Sequence, residues 1–315
     1  MSDDPLKYPF PENVVNSTGG PLYAGNESVF LGRIFDALQT RMGPDFTRFT
    51  FVVHWRAHGE LPGREISLDP GGNDKVLILM ADECEVFPLE GFRAYRAIFR
   101  AYGAPPGGTS RIHPFPVGYF NAAGSVEPVP FEQRTCPVFF SGCLNSSRVD
   151  LYKQFARIPW LPERNLPMRT LRELARRVIS RFHPKRNFDD TYPGACIRFT
   201  AGFGQGLEPD TYARTLANTK IAICPPGFVS NETIRHWEAM KLGCVIISAP
   251  LPDCRFYSSS PIIQLHDWSR LKGVVNLLLK NPQVLVIRHN ATVRWWDRMC
   301  SESAVAGYMA KILGS

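Results

Sequence analysis

The stretch KIAICPPGFVSNETIRHWEAMKLGCVIIS, Lys220 to Ser248, decides how the chain is read. After Lys220 its first residues are apolar and partly β-branched, the pattern of a strand buried on both faces. Pro225, Pro226 and Gly227 end that strand and open a loop at its carboxyl end. Ser230 or Asn231 is placed to cap the helix that follows. Gly243 is placed to end it. CVIIS then reads as a second buried strand. Strand, loop, helix and strand make a crossover unit, which joins parallel neighbours in one sheet. The free N–H groups and positive dipole end of such a helix form an anion site at the carboxyl edge of the sheet. Arg235 and Glu238 stand three residues apart and share a helix face. An arginine suits a phosphate, and a carboxylate suits two adjacent hydroxyls such as those of a ribose. On a solvated crossover helix the same pair would be an ordinary surface ion pair.

The flanking sequence supplies further strands and helices. Residues 1–25 are rich in Pro, Asn and Gly and read as an irregular lead-in. From Ser28, SVFLGRIFDALQTRM has apolar residues at helical spacing. RFTFVVHW is a strand ending at His54 and Trp55. KVLILM, Lys75 to Met80, is a buried strand with Asp82 and Glu83 at its exit. Residues 88–102 carry Phe92, Tyr95, Phe99 and Tyr102 at spacings that predict a helix, and RIHPFPVGYF predicts a strand. Residues 121–136 read as a linker. Beyond it, strands are expected at PVFFSG, ACIRFT, KIAIC, CVIIS and PIIQL, and helices at NSSRVDLYKQFAR, PDTYARTLANT and WSRLKGVVNLLLK. The basic segment MRTLRELARRVISRF is expected as an amphipathic helix, either solvated or docked on an anionic membrane or lipid-linked acceptor. Alternating strands and helices predict an α/β protein, with domains at 1–125 and 126–290 and a terminal helix over 291–315.

Composition excludes several classes. The chain has 315 residues, 44% apolar and 21% charged, close to ordinary globular proteins and far from disordered or fibrous ones. Its net charge of +7 favours anionic partners without choosing among them. Eight cysteines occur without a CxxC pair, so a zinc ribbon or thioredoxin-like site is not expected and free thiols in a reducing compartment are. The amino terminus has neither the basic start nor the apolar core of a signal peptide. No run of about 18 apolar residues occurs, so a cytoplasmic protein is expected, with peripheral attachment to the inner face of a membrane as an option. No zinc-finger, RNA-recognition or helix-turn-helix pattern accompanies the basic charge, so no nucleic-acid partner is expected.

The Lys220–Ser248 segment resembles the signature of exostosin-like glycosyltransferases: a strand, C-x-x-G, Ser, Arg, Glu-Ala, then Gly-Cys and an apolar strand. The matching residues are Cys224, Pro225, Gly227, Ser230, Arg235, Glu238, Ala239, Gly243 and Cys244. PVFFSGCLNSSRVDLYKQF is similar to the first strand and helix of that family's C-terminal domain. ILMADECEVFP, AIFRAY and HPFPVGYF resemble its N-terminal domain in related proteins. The resemblance implies a GT-B architecture, two Rossmann-like domains facing across a cleft, here with an abbreviated N-terminal domain. It implies that the terminal helix packs back on the first domain.

The same resemblance implies a sugar-nucleotide donor, a UDP-sugar by preference, held by Gly142, Arg148, Pro226, Gly227, Ser230, Asn231, Arg235 and Glu238. Glu238 would bind the ribose, Arg235 would lie near the diphosphate or the sugar, and Arg148 would face the phosphates. The acceptor would be a glycan or a lipid-linked glycan. No metal-binding Asp-x-Asp is present, so neither metal nor cofactor is expected. If transfer inverts configuration, a general base is required. Asp82 or Glu83 at the strand exit is the first candidate and His54 the rival. The alternative to an enzyme is a non-catalytic sugar-nucleotide or glycan-binding protein on the same fold.

Overall fold

The computed structural model describes residues 8–17, 22, 25–55, 72–80, 83, 94–102, 111–156, 186–202 and 204–314. The chain forms two compact units. One comprises Met1–Ser125, Pro252–Ser260 and Arg294–Ser315, and the other Val126–Leu251 and Pro261–Val293. Each is built on a five-stranded, fully parallel sheet, so the α/β class is observed.

The first unit runs β1 (Val14–Asn16), α1 (Ser28–Met42), β2 (Thr50–Trp55), β3 (Lys75–Met80), β4 (Ala97–Arg100), β5 (Ile112–Pro114) and α2 (Asn121–Gly124). Its strands lie side by side in chain order. Two expectations fail here. Val14–Asn16, in the presumed lead-in, pairs in register with Phe51–Val53. Of the helix expected over 88–102, residues 88–93 lie outside the described residues, and the rest carries a strand at Ala97–Arg100, between β3 and β5. All four of its residues are buried. A strand covered on both faces loses its apolar–polar alternation, so no period of two marks it in the sequence.

The second unit runs β6 (Cys136–Cys143), α3 (Val149–Lys153), β7 (Cys196–Thr200), α4 (Pro209–Ala217), β8 (Thr219–Cys224), α5 (Ile234–Lys241), β9 (Val245–Ser248), β10 (Ile263–Gln264), α6 (Leu271–Lys280) and α7 (Pro282–Trp295). Its sheet order is β10-β9-β8-β6-β7. The chain thus moves one way from β6 to β7, then returns past β6 and continues the other way through β8. This is the doubly wound arrangement, with its reversal between β6 and β8. Alternate residues fill the two sides. Val138, Phe140, Ile197, Phe199, Ile221, Ile223, Val245 and Ile247 form one core with α3 and α6. Phe139 meets Tyr212 of α4 on the other side, and Ser248 meets His236 of α5 there.

After a π-helical turn at Trp296–Cys300, α8 (Glu302–Leu313) lies in the first unit and packs on α1. Arg41 donates to Ser303 Oγ at 3.0 Å. The Tyr119 hydroxyl bonds the Glu302 carboxylate. Trp295 and Trp296 are both buried, and Trp295 donates its indole N–H to Phe256 O at 2.9 Å. Among the described residues no helix is long and apolar enough to cross a membrane. The described cysteines are free. The basic segment MRTLRELARRVISRF lies outside the described residues.

Candidate functional site

The carboxyl ends of β6 and β8 flank the reversal point of the second sheet, where open α/β sheets place their ligands. The loops leaving these strands are bonded to each other. Arg148 donates from Nε to Pro226 O at 2.7 Å and from Nη1 to Cys143 O at 2.8 Å. Asn145 Nδ2 donates to Gly227 O at 3.2 Å, and the Ser147 hydroxyl donates to the same carbonyl. Arg148 is 3% exposed. It braces one loop against the other. Gly227 closes a turn by donating its N–H to Ser230 O at 2.7 Å. Asn231 Nδ2 donates to Pro250 O at 2.7 Å.

The helix begins later than its sequence suggests. Its cap is Thr233, in extended backbone, and neither Ser230 nor Asn231. Ser230 Oγ accepts the Glu232 N–H at 3.0 Å instead. His236 Nδ1 accepts the Thr233 N–H at 3.1 Å. With Nδ1 accepting, the ring proton sits on Nε2, which donates to Ser248 Oγ at 2.7 Å, and that hydroxyl donates to Ala249 O at 2.8 Å. Burial holds the His236 pKa down at about 3, so the ring is neutral. Glu232, 2% exposed, accepts the Trp237 indole N–H at 3.3 Å. At the other end, Gly243 takes φ +66°, as a helix-ending glycine does.

This cap sets Arg235 in the first turn of α5. Its Nε and Nη2 donate to Ser141 O at 3.2 and 3.0 Å, so the guanidinium lies at the end of β6. Gly142 makes room for it, because a Cβ there would stand 2.4 Å from Arg235 Nη2 and 3.3 Å from Arg148 Nη1. One turn on, Glu238 is 3% exposed. The Tyr212 phenol of α4 stands within reach of the Glu238 charge. Burial first, and then the Glu238 charge, raise the Tyr212 pKa well above its ordinary value. The phenol therefore stays protonated beside the carboxylate. The solvated surface ion pair does not describe Arg235 and Glu238: one is bonded to a strand carbonyl and the other is buried.

The structure thus brings together Gly142, Arg148, Pro226, Gly227, Ser230, Arg235 and Glu238 at one edge of the second sheet, with Asn231 anchoring the loop. Sequence reading missed Tyr212, Ser141 and the Thr233–His236 cap. Only the cap had a local signal, a threonine three residues before a side chain able to accept from the cap N–H. Of the candidate bases, His54 is 6% exposed at the end of β2, with Nδ1 2.8 Å from Ser17 Oγ. Glu83 is half-buried beyond β3. Asp82 lies outside the described residues.

No protein-family model matches the chain, and no curated protein matches it. Among solved structures it is similar to TarM, with 9% identity over 78% of this chain and a TM-score of 0.41. The chain spans 55% of the TarM length. It is also similar to a glycosyltransferase from Rickettsia africae ESF-5, with 7% identity over 95% of this chain and 96% of that one, and a TM-score of 0.43. At these identities the site is read from its own residues.

Proposed function

We propose that this chain is a glycosyltransferase of GT-B type. It moves a sugar from a nucleotide donor, a UDP-sugar by preference, to a hydroxyl of a glycan or lipid-linked glycan. The observation that carries the reading is the Arg235 guanidinium at the reversal point of a doubly wound sheet, with the Glu238 carboxylate one turn behind it. In this reading Arg235 and the N–H groups opening α5 neutralise the departing diphosphate. Glu238, oriented by Tyr212, accepts hydrogen bonds from the ribose hydroxyls. Gly142 and Gly227 let backbone approach the donor, and Arg148 fixes the loops that do so. The first unit is proposed to supply the acceptor site and the base, Asp82 or Glu83 at the exit of β3, with His54 as the rival. The base takes the acceptor proton as the acceptor oxygen bonds the anomeric carbon and the bond to the diphosphate breaks, with inversion. No metal is required in this scheme, because Arg235 and the helix start carry the charge.

Calorimetric titration with UDP, 2′-deoxy-UDP and other nucleoside diphosphates tests the reading. Wild type is expected to bind UDP saturably. Arg235→Ala is expected to weaken UDP by about tenfold or more, the worth of one charge-assisted hydrogen bond. Glu238→Ala is expected to abolish the preference for UDP over its 2′-deoxy form. Equal binding by wild type and Arg235→Ala would overturn the assignment. Donor hydrolysis by wild type separates the enzyme from a binding protein of the same fold.

A further inference from the structure

On the side of the second sheet that carries α4 and α5, a cavity of about 220 Å³ opens beside the ends of β6 and β7. Ser141 and Arg198, which are partners across those strands, line it with Thr200, Arg186, Asn187 and Gln205. Its volume is below the roughly 300–1,000 Å³ of sites for drug-sized ligands, so it takes a single group and not a whole nucleotide.

Its chemistry is that of a donor-rich pocket. Both arginines offer only donors. Asp189 engages Arg198 at Nε and Nη2, at 3.1 and 2.8 Å, and leaves Nη1 outside that pair. Asn187 Oδ1 already accepts the Asp189 N–H at 2.8 Å, which leaves its amide as a donor. Among the described residues the lining holds two guanidinium groups and no carboxylate. The complement is an acceptor-rich anion. Ser141 also ties the cavity to the reversal point, because its carbonyl is the group that Arg235 holds. A ligand in the cavity is therefore the immediate neighbour of whatever Arg235 binds.

We propose that this cavity is a subsite for an oxyanion-bearing sugar unit, a hexuronate or a hexose phosphate. The sugar component rests on the transferase reading, whereas the selection for an oxyanion rests on the cavity alone.

The test uses the full chain and three probes, glucuronic acid, glucose 6-phosphate and glucose, titrated by saturation-transfer NMR, with UDP titrated separately. The expected result is binding of at least one charged probe in clear preference to glucose, and the tighter anion names the source. Arg186→Gln is expected to weaken the charged probe by about tenfold and to leave UDP affinity unchanged. Asp189→Asn keeps the acceptor that holds the Ile197 N–H at 2.7 Å and releases Arg198, so it is expected to tighten the charged probe several-fold. Unfolding cannot produce that gain. Glucose binding as tightly as both anions, or an Arg186→Gln chain with undiminished affinity, would overturn the subsite. Failure of UDP to bind while the charged probes still discriminate would remove the transferase reading and keep the oxyanion site. UDP binding without that discrimination would remove the subsite alone.

Discussion

Gly142 is where two guanidinium groups reach the end of one strand, and a single methyl there forces a choice. The added Cβ would meet Arg235 Nη2 at 2.4 Å, and the obstacle is the far end of a flexible side chain, not backbone. Gly142→Ala is therefore expected to push Arg235 off the Ser141 carbonyl while the fold stands. UDP affinity measured by calorimetry should fall by about tenfold, and the thermal midpoint should stay within about 3 °C of wild type. A fully retained affinity would mean that Arg235 takes no part in binding. At this scale the sequence was informative where chemistry repeats within one helix. Arg235 and Glu238 are neighbours by helical spacing alone. Tyr212 was not legible, because it stands on a different helix from Glu238 and only the fold brings the two groups near each other. Arg148 was legible as a cation near the loop, but its role depends on two carbonyls that no local pattern announces.

At the scale of elements, the helix that positions Arg235 depends on a neutral histidine. His236 protonates near 6.5 in the unfolded chain and near 3 in the fold. Its contribution is intact above pH 6.5 and is lost as pH falls through that window, by about 1.4 kcal/mol per unit. Urea midpoints measured from pH 7.5 to 4.5 should decline more steeply for wild type than for His236→Asn, and parallel profiles would contradict the cap described here. The other end of α5 is held from the segment that sequence alone presents as a linker. Arg134, 3% exposed, donates to Leu242 O at 2.6 Å, Thr219 O at 2.7 Å and Val129 O at 2.9 Å. Arg134→Ala would leave these carbonyls buried without their donor, at about 1–3 kcal/mol each, so a loss of more than about 3 kcal/mol in denaturant unfolding is expected. Composition made 121–136 look like a spacer because Arg134 within it bonds mainly backbone carbonyls. The strand at Ala97–Arg100 was misread for the reason that burial on both faces erases its period.

Across the whole molecule, most strands of both sheets were visible as short apolar runs between Gly, Pro and Asn, and the alternation with helices carried the α/β class. The order of strands was not visible. Both sheets are parallel and five-stranded, but only the second reverses direction across its width, and such a reversal is where open α/β sheets place their ligands. A parallel run of five strands in chain order, as in the first unit, has no such point among its described strands. The functional reading therefore concentrates on one place: the paired exits of β6 and β8. A crystal structure of the chain grown with UDP measures this directly. The diphosphate is expected against Arg235 and the start of α5, with the ribose hydroxyls on Glu238. Density for the nucleotide at any other edge, with Arg235 still on the Ser141 carbonyl, would contradict this site.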